Sequence, residues 1–300
     1  MLGKRATSII AVLVIVALTG SYLFYSRYQT RVSAGYANPQ LLVDDVWILD
    51  HLADPKVRII DVRSQDEYNQ GHIKNAVNLE FERLRTTVNG LRNAAPKETV
   101  ESILGELGIT LDTTVVIYDK GQSLDASLVF WTLEYYGHSD VRILNGGWSK
   151  WMKDEHPPAK ENPSYEKTAY KATVRPELLA TAEYILKNLK NSRITFLDSR
   201  SQLEYRGIDI RSKRGGHIPG AVNAEWTRNL NSDGTFKSAN ELLKMYQEVG
   251  VTRDEEVVTY CQTGHRAANS YFAMRLLGFD TRMYDGSWEE WGNREDLPIE

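Results

Sequence analysis

Short apolar runs alternate with longer amphipathic stretches along residues 38–300. The short runs are rich in β-branched residues, which favours buried strands. The longer stretches carry apolar residues at helical spacing and end at glycines, as many helices do. In the first half, the predicted strands are Val57–Val62 and Val115–Tyr118, and the predicted helices are Lys97–Leu107 and Ala126–Tyr136.

The second half of the chain repeats this alternation. It predicts strands at Ile194–Leu197 and Glu256–Tyr260, and helices at Ala239–Val249 and Ala267–Leu277. Strands that alternate with helices form βαβ units, in which helices cover both faces of a parallel sheet. The predicted fold class is therefore α/β, with a parallel sheet flanked by helices in each half.

The two halves are also related in sequence. Residues 59–81 read IIDVRSQDEYNQGHIKNAVNLEF, and residues 196–226 read FLDSRSQLEYRGIDIRSKRGGHIPGAVNAEW. Both contain Asp-x-Arg-Ser-Gln-x-Glu-Tyr, then Gly-His-Ile and Ala-Val-Asn. The second copy carries an insertion between Tyr205 and Gly216. A repeat of this length indicates duplicated domains.

The repeat sets the predicted domain boundaries. We place the first domain at residues 38–153 and the second at 177–300. The segment between them, residues 154–176, is polar and rich in proline, which favours a linker with some extended structure.

Residues 1–34 follow a different pattern. Lys4 and Arg5 precede an uncharged apolar run, Ser8–Tyr25. The length of this run lies between that of a signal-peptide core and that of a membrane-spanning helix. A buried core helix is the alternative, but the run lacks an amphipathic stripe. We therefore expect a cleaved signal peptide or a membrane anchor, with the body of the protein outside the cytoplasm, in the periplasm or on the outer face of the membrane.

The composition excludes several kinds of partner and of site. The chain has 300 residues, a formal charge of −4 and one cysteine, Cys261. A slightly negative chain has no basic field, which argues against nucleic acid as a partner. A single thiol excludes an intramolecular disulfide and an all-thiolate metal site. Cys261 is therefore either an inert core residue or a nucleophile.

Cys261 lies between the predicted strand Glu256–Tyr260 and the helix expected to begin near Ala267. Ligands of open α/β sheets usually bind at the carboxyl ends of the strands. Loop amides and the positive end of a helix dipole favour an anion, and hence a thiolate over a thiol. The polar surroundings thus favour a nucleophile over a small core residue. The candidate substrate-binding residues of the same loop are Gln262, Thr263, Gly264, His265 and Arg266.

Taken together, the two Asp-x-Arg blocks, the Cys261 loop and the closing Asp285-Gly286-Ser287-Trp288 resemble the tandem-domain rhodanese sulfurtransferases. The resemblance extends from about Asn38 to the C-terminus. It implies two rhodanese-like domains, of which the second carries the catalytic cysteine. The first would be a catalytically silent copy, with Asp119 at the place of Cys261.

The resemblance also implies a reaction in two steps. Cys261 would take the outer sulfur of a donor such as thiosulfate. A thiophilic acceptor, such as cyanide or a thiol, would then remove that sulfur from the Cys261 persulfide. Such a reaction uses no metal and no organic cofactor. We expect a monomer whose partners are the small-molecule donor and the acceptor.

Several alternatives stay open. The Cys-x4-Arg spacing is one residue shorter than the phosphatase loop, so a phosphatase or an arsenate reductase is disfavoured. Gln262 and Thr263 are neutral, whereas His265 and Arg266 supply charge, so 3-mercaptopyruvate is an alternative donor. A third hypothesis is a binding module that carries persulfide sulfur without fast turnover.

The residue that binds the donor's anion is also open. Relatives use an arginine in the Asp-x-Arg block, but the matching register here holds Glu204. Arg206 is the nearby candidate for that role, Arg211 and Arg214 in the inserted stretch are further candidates, and surface solvation is the alternative interpretation.

Overall fold

The computed structural model describes residues 35–300, so the predicted export segment 1–34 lies outside the described residues. Within residues 35–300, no helix is both long enough and apolar enough to cross a membrane. These residues fold into two copies of one α/β unit, which confirms the predicted fold class.

Seven strands and five helices form the first copy. The strands are β1 (Leu42–Val43), β2 (Val57–Asp61), β3 (Val77–Asn78), β4 (Arg85–Val88), β5 (Leu91–Ala94), β6 (Thr114–Tyr118) and β7 (Val141–Leu144). The helices are α1 (Asp45–His51), α2 (Gln65–Gln70), α3 (Lys97–Glu106), α4 (Leu124–Tyr135) and α5 (Gly147–Lys153). Strands β4 and β5 form an antiparallel hairpin, and the other strands form a parallel sheet in the order β1-β7-β6-β2-β3.

The second copy has five strands and five helices. The strands are β8 (Leu179–Ala180), β9 (Ile194–Asp198), β10 (Val222–Asn223), β11 (Glu256–Tyr260) and β12 (Thr281–Tyr284). The helices are α6 (Ala182–Asn188), α7 (Gln202–Tyr205), α8 (Ala239–Glu248), α9 (His265–Leu277) and α10 (Ser287–Trp291). The parallel sheet has the order β10-β9-β11-β12-β8. Read from the opposite edge, this is the strand order of the first sheet. Strands β6 and β11 are therefore equivalent.

Both faces of the first sheet are covered. Along β6, Val115 and Ile117 pack in a core cluster with residues of α3 and α4, whereas Val116 and Tyr118 pack in a second cluster with residues of α1 and α5. A continuous apolar run is what a parallel strand buried on both faces requires, which is why these strands were predictable.

The Asp-x-Arg blocks stabilise the turn after β2 and after β9. In the second copy, Asp198 accepts hydrogen bonds from Nε and Nη2 of Arg200, and Nη2 also donates to the Gly216 carbonyl at 2.8 Å. Asp61 and Arg63 make the same pair in the first copy. All four side chains are buried, so this repeated motif supports the fold in both copies.

The copies meet along α4 and α9. These two helices are buried almost all round, and Phe130 of α4 packs edge-on against Phe272 of α9 with ring centroids 4.8 Å apart. At the same interface, Arg275 Nη2 and the Tyr271 hydroxyl donate to the Glu134 carboxylate, each at 2.8 Å. The packed pair of helices brings the N-terminus of α9, and with it Cys261, beside the first copy.

The segment between the copies contains no helix or strand from residue 154 to 175. It runs along the first copy: Ala159 pairs with His72 in an antiparallel bridge, and the Thr168 amide donates to the Gly105 carbonyl at 2.9 Å. Its extended course fits the polar, proline-rich composition.

Candidate functional site

Cys261 directly follows β11 and is 0% exposed. The helix α9 begins at His265, two residues earlier than predicted. His265 and Arg266 therefore belong to the first helical turn, and the loop itself is Cys261–Gly264. Gly264 has a φ of +82°, in the left-handed region, and a Cβ there would lie 2.7 Å from Oδ1 of Asp285, so the turn requires glycine.

Ser287, named in the sequence only as part of the closing Asp285-Gly286-Ser287-Trp288 motif, closes this loop. Ser287 Oγ accepts hydrogen bonds from the amides of Cys261 and Gly264, both at 3.1 Å, and donates to the Tyr284 carbonyl at 2.8 Å. The first copy has Gly147 at the start of the equivalent helix. This difference between the two copies was the signal in the sequence.

Arg266 is held by a carboxylate. Its Nη1 and Nη2 donate to the two oxygens of Glu204 at 2.7 and 2.8 Å. Burial works to lower the pKa of Arg266, but its hydrogen bonds to Glu204 and its electrostatic interactions with Cys261 and Glu204 outweigh burial, so that pKa is raised. Burial would raise the pKa of Glu204, yet the Arg266 pair lowers it to about 2. The cation predicted beside Cys261 is present, but a carboxylate already pairs with it.

His265 lies against the first copy. Its Nε2 is 2.6 Å from Oδ1 of Asp125, and its ring packs against Phe81 with centroids 4.9 Å apart. Asp125 is the second residue of α4, as Arg266 is the second residue of α9. The first copy thus contributes a residue that contacts the predicted site.

Gln262 joins the loop to the inserted segment of the second copy. Its Nε2 donates to Ser212 Oγ at 3.0 Å, whereas its Oε1 is buried and has no hydrogen-bond partner within residues 35–300. Thr263 is half-buried. The Cys261 and Gln262 carbonyls accept the amides of Trp288 and Glu289 at 2.9 and 2.8 Å, so the start of α10 fixes the loop backbone.

Two of the arginine candidates for donor binding, Arg206 and Arg211, lie in different places. Arg211 forms an ion pair with Asp209 and lies 3.6 Å from Oε1 of Glu204, so it reaches the edge of the Arg266 pair. Arg206 is exposed, and its side chain makes no hydrogen bond or ion pair with the described part of the chain. The structure therefore brings Arg211, and not Arg206, into the network around Cys261.

In the first copy, the loop equivalent to Cys261–Gly264 holds its own carboxylate. Oδ1 of Asp119 accepts the amides of Gly121 and Ser123 at 2.8 and 3.1 Å, and Oδ2 accepts the amide of Ala126 at 3.4 Å. Burial, and then the charge of Asp125, raise the pKa of Asp119. A side-chain carboxylate thus fills the amide cradle of the first copy.

A buried ion pair connects the hairpin of the first copy to the Cys261 loop. Nη2 and Nη1 of Arg85, in β4, donate to the two oxygens of Asp285 at 2.7 and 3.2 Å, and the Ala94 amide donates to Oδ2 at 2.9 Å. Burial raises the pKa of Asp285, although Arg85 works against this. Since Asp285 packs on Gly264, the hairpin supports the loop from outside its own domain.

One group in the described residues has the composition of a metal site. Asp45, Asp154 and His156 lie with ligand atoms within 4.8 Å of one another. The His156 Nε2 is hydrogen-bonded to Asp45 at 2.7 Å, however, and Asp154 pairs with Lys150. Each of the three thus has a protein partner.

Comparison with known proteins agrees with this geometry. The Rhodanese-like domain model matches residues 44–154 and 181–294. The chain belongs to the rhodanese family. It is 39% identical over 285 residues to the sulfur carrier protein TtuD of Thermus thermophilus, an alignment that covers 88% of this chain and 98% of that protein.

Two further relatives carry the names of enzymes. A thiosulfate sulfurtransferase of Azotobacter vinelandii is 32% identical over 269 residues, covering 88% of this chain and 98% of the relative. SseA of Escherichia coli, whose crystal structure is described as that of a 3-mercaptopyruvate sulfotransferase, superposes with a TM-score of 0.74 at 28% identity. That match covers 83% of this chain and 98% of SseA. The suspected family is confirmed, and its named members handle sulfur.

Proposed function

We propose that this protein transfers sulfane sulfur from thiosulfate to a thiophilic acceptor through a persulfide on Cys261. One observation carries the proposal: the only thiol of the chain lies in a strand-to-helix loop, directly before the N-terminus of α9 and beside the cation of Arg266. A helix N-terminus and a nearby cation favour a thiolate, which is the nucleophilic form of cysteine.

The first step forms one sulfur–sulfur bond and breaks another. The Cys261 thiolate attacks the outer sulfur of thiosulfate, and sulfite leaves with the electron pair of the broken bond. In the second step, the acceptor attacks the outer sulfur of the persulfide, and the thiolate of Cys261 is restored. Because Cys261 is fully buried, the donor reaches its sulfur only after a side chain at the rim of the site moves.

The candidate donor-binding groups are Gln262, Thr263, Arg211 and the loop amides. Since Glu204 pairs with Arg266 and offsets its charge, Arg266 alone attracts a doubly negative donor such as thiosulfate only weakly. The half-exposed guanidinium of Arg211, which lies 3.6 Å from Glu204, is the proposed source of additional positive charge.

A 3-mercaptopyruvate sulfurtransferase is the second candidate function. The neutral side chains of Gln262 and Thr263 and the similarity to SseA favour it. Steady-state kinetics with both donors separates the two candidates: kcat/KM is expected to be higher with thiosulfate. A higher kcat/KM with 3-mercaptopyruvate would make the 3-mercaptopyruvate sulfurtransferase the favoured function. The name of the Thermus relative favours a third candidate, a sulfur carrier, which would take up sulfur but release it slowly to cyanide.

Intact-mass analysis of the full-length protein tests the mechanism. After incubation with thiosulfate we expect a gain of one sulfur atom, about 32 Da, that is lost on addition of cyanide. The Cys261→Ser variant should show no gain. A wild-type protein that gains no sulfur from either donor would contradict the proposal.

We also propose that the protein acts outside the cytoplasm. The proposal rests on the apolar run Ser8–Tyr25 and the positive charges before it. Fractionation of a bacterial host that expresses the full chain should place it in the periplasm or the membrane. Recovery in the cytoplasmic fraction alone would contradict export.

A further inference from the structure

Three exposed aliphatic side chains lie in the inserted segment of the second copy and in the helix α7 that precedes it. Leu203, Ile208 and Ile210 are 55%, 65% and 58% exposed. We call these three residues the aliphatic patch. Single exposed apolar residues are normal on a protein surface, but a group of them marks an interaction site.

The backbone brings the three residues of the patch into neighbouring positions. The Leu203 carbonyl accepts the amides of Ile208 and Asp209 at 2.9 and 3.1 Å, so the end of α7 and the inserted segment lie side by side. A Cβ at Gly215 would lie 3.0 Å from Cγ1 of Ile210, which shows how closely Ile210 packs on the end of the insertion.

The insertion is also anchored. Arg214 donates to the carbonyls of Trp291, Arg294 and Leu297 at the end of the chain, and the Lys213 amide donates to the Asn293 side chain at 2.8 Å. The exposure of the aliphatic side chains is therefore a property of an ordered turn that many hydrogen bonds hold in place.

This turn borders the candidate active site. Ser212, two residues after Ile210, accepts the hydrogen bond from Nε2 of Gln262, the neighbour of Cys261. Arg211 lies 3.6 Å from Glu204, which pairs with Arg266. A molecule seated on the aliphatic patch would therefore lie close to the Cys261 loop.

The same segment carries two positive charges that are unpaired in the described part of the chain. Arg206 and Lys213 are exposed and form no ion pair within residues 35–300, while Arg211 pairs with Asp209. Exposed charges at the rim of an interface steer a partner of opposite charge. The complementary partner is therefore apolar at its centre and acidic at its edge.

The chemistry of transfer indicates what such a partner is. Cys261 is the only cysteine of the chain, so the sulfur of its persulfide has no second thiol in the chain to receive it. Neither thiosulfate nor cyanide has an apolar surface that would use three aliphatic side chains.

We propose that the aliphatic patch, with Arg206 and Lys213, is the docking surface for a protein acceptor. The acceptor segment carries a thiol flanked by apolar and acidic side chains. This inference rests on the proposed function: the acceptor thiolate attacks the outer sulfur of the Cys261 persulfide, takes that sulfur, and leaves the Cys261 thiolate.

The test measures transfer from the persulfidated full-length protein to three acceptors. The first is cyanide. The second is a short peptide with one cysteine between leucines and glutamates, and the third is the same peptide with lysines in place of the glutamates. The test variant is Ile208→Ser/Ile210→Ser. Its matched control is Leu111→Ser/Leu186→Ser, which removes two exposed leucines outside the insertion.

We expect kcat/KM for the acidic peptide to exceed that for the basic peptide by at least tenfold. Ile208→Ser/Ile210→Ser should lower the value for the acidic peptide at least fivefold and leave cyanide turnover within twofold of wild type. The control variant should match wild type with all acceptors. Lys213→Glu should reduce the preference for the acidic peptide, and added salt should do the same.

Equal rates with the two peptides, or an acidic-peptide rate unchanged in Ile208→Ser/Ile210→Ser, would overturn the docking proposal. A change of oligomeric state in that variant would also overturn it, because a second copy of the chain would then cover the patch. Failure of the proposed function looks different: wild type would transfer no sulfur even to cyanide, and both proposals would fall together.

Discussion

The ion pair between Arg85 and Asp285 provides the sharpest test of how the first copy supports the Cys261 loop. The side chains are only 3% and 4% exposed. Arg85→Met keeps most of the apolar stem but removes both hydrogen bonds to the carboxylate, and only the Ala94 amide remains as its partner. Removing one member of a buried ion pair costs about 3–5 kcal/mol, because the other charge stays buried and unpaired.

The effect should depend on pH in a defined direction. Burial already raises the pKa of Asp285 while Arg85 opposes it, so the loss of Arg85 raises that pKa further. A carboxyl whose pKa is raised on folding contributes stability below its unfolded-state pKa, and this contribution is lost as pH rises through the folded-state pKa. Arg85→Met should therefore be least stable at neutral and higher pH, and it should approach wild type as the pH falls toward 4.

Urea unfolding of the full-length protein measures the change. The matched control is Arg83→Met, which breaks an exposed ion pair with Glu106, 46% exposed on each side, and should cost at most about 1 kcal/mol. The double variant Arg85→Met/Asp285→Asn removes both charges and should be more stable than the sum of the single effects predicts.

Persulfide formation should also slow in Arg85→Met, because Asp285 packs against Gly264 of the loop. A loss of unfolding free energy in Arg85→Met no larger than that in Arg83→Met would refute the assigned role of the ion pair.

Two further predictions concern the charges around the loops. Glu204→Gln removes a carboxylate whose pKa is lowered to about 2, which corresponds to about 3 kcal/mol of stability at pH 7. That difference from wild type should fade as the pH falls from 4.5 toward 2, and a difference constant with pH would contradict the assigned pairing with Arg266. Asp119→Cys in a Cys261→Ser background should gain no sulfur from thiosulfate by intact mass, since Asp125 stands where the second copy has Arg266. Uptake of sulfur there would show that the first copy is not silent.

The parts of the fold that depend on continuous apolar runs were predictable. The strands predicted near Val57 and Val115 and the helix predicted from Lys97 agree with the structure within one or two residues at each end. The hairpin β4–β5 was missed, because its strands are polar and partly exposed. Its turn signal was nevertheless present: Asn89 and Gly90 both have positive φ, as a two-residue hairpin turn requires.

The site was predictable only as far as its residues are neighbours in the sequence. The Cys261 loop was found because a strand, a cysteine, a glycine and a helix follow one another. The pairing of Glu204 with Arg266 joins residues from separate βαβ units, and no local pattern encodes it. The contact between Arg85 and Asp285 depends in addition on how the two copies pack.

The two equivalent loops differ in the side chains that they place in the same amide cradle. In the first copy, the Asp119 carboxylate accepts hydrogen bonds from two loop amides and one amide of the first helical turn, and Asp125 adds negative charge at the start of the helix. In the second copy, the side chain at that place is a thiol, and the helix starts with Arg266. A carboxylate cannot carry sulfane sulfur, whereas a thiolate can accept it and release it. We therefore propose that the difference between a structural cradle and a sulfur-transfer site depends on a few positions in the loop and the first helical turn, above a sheet that is the same in both copies.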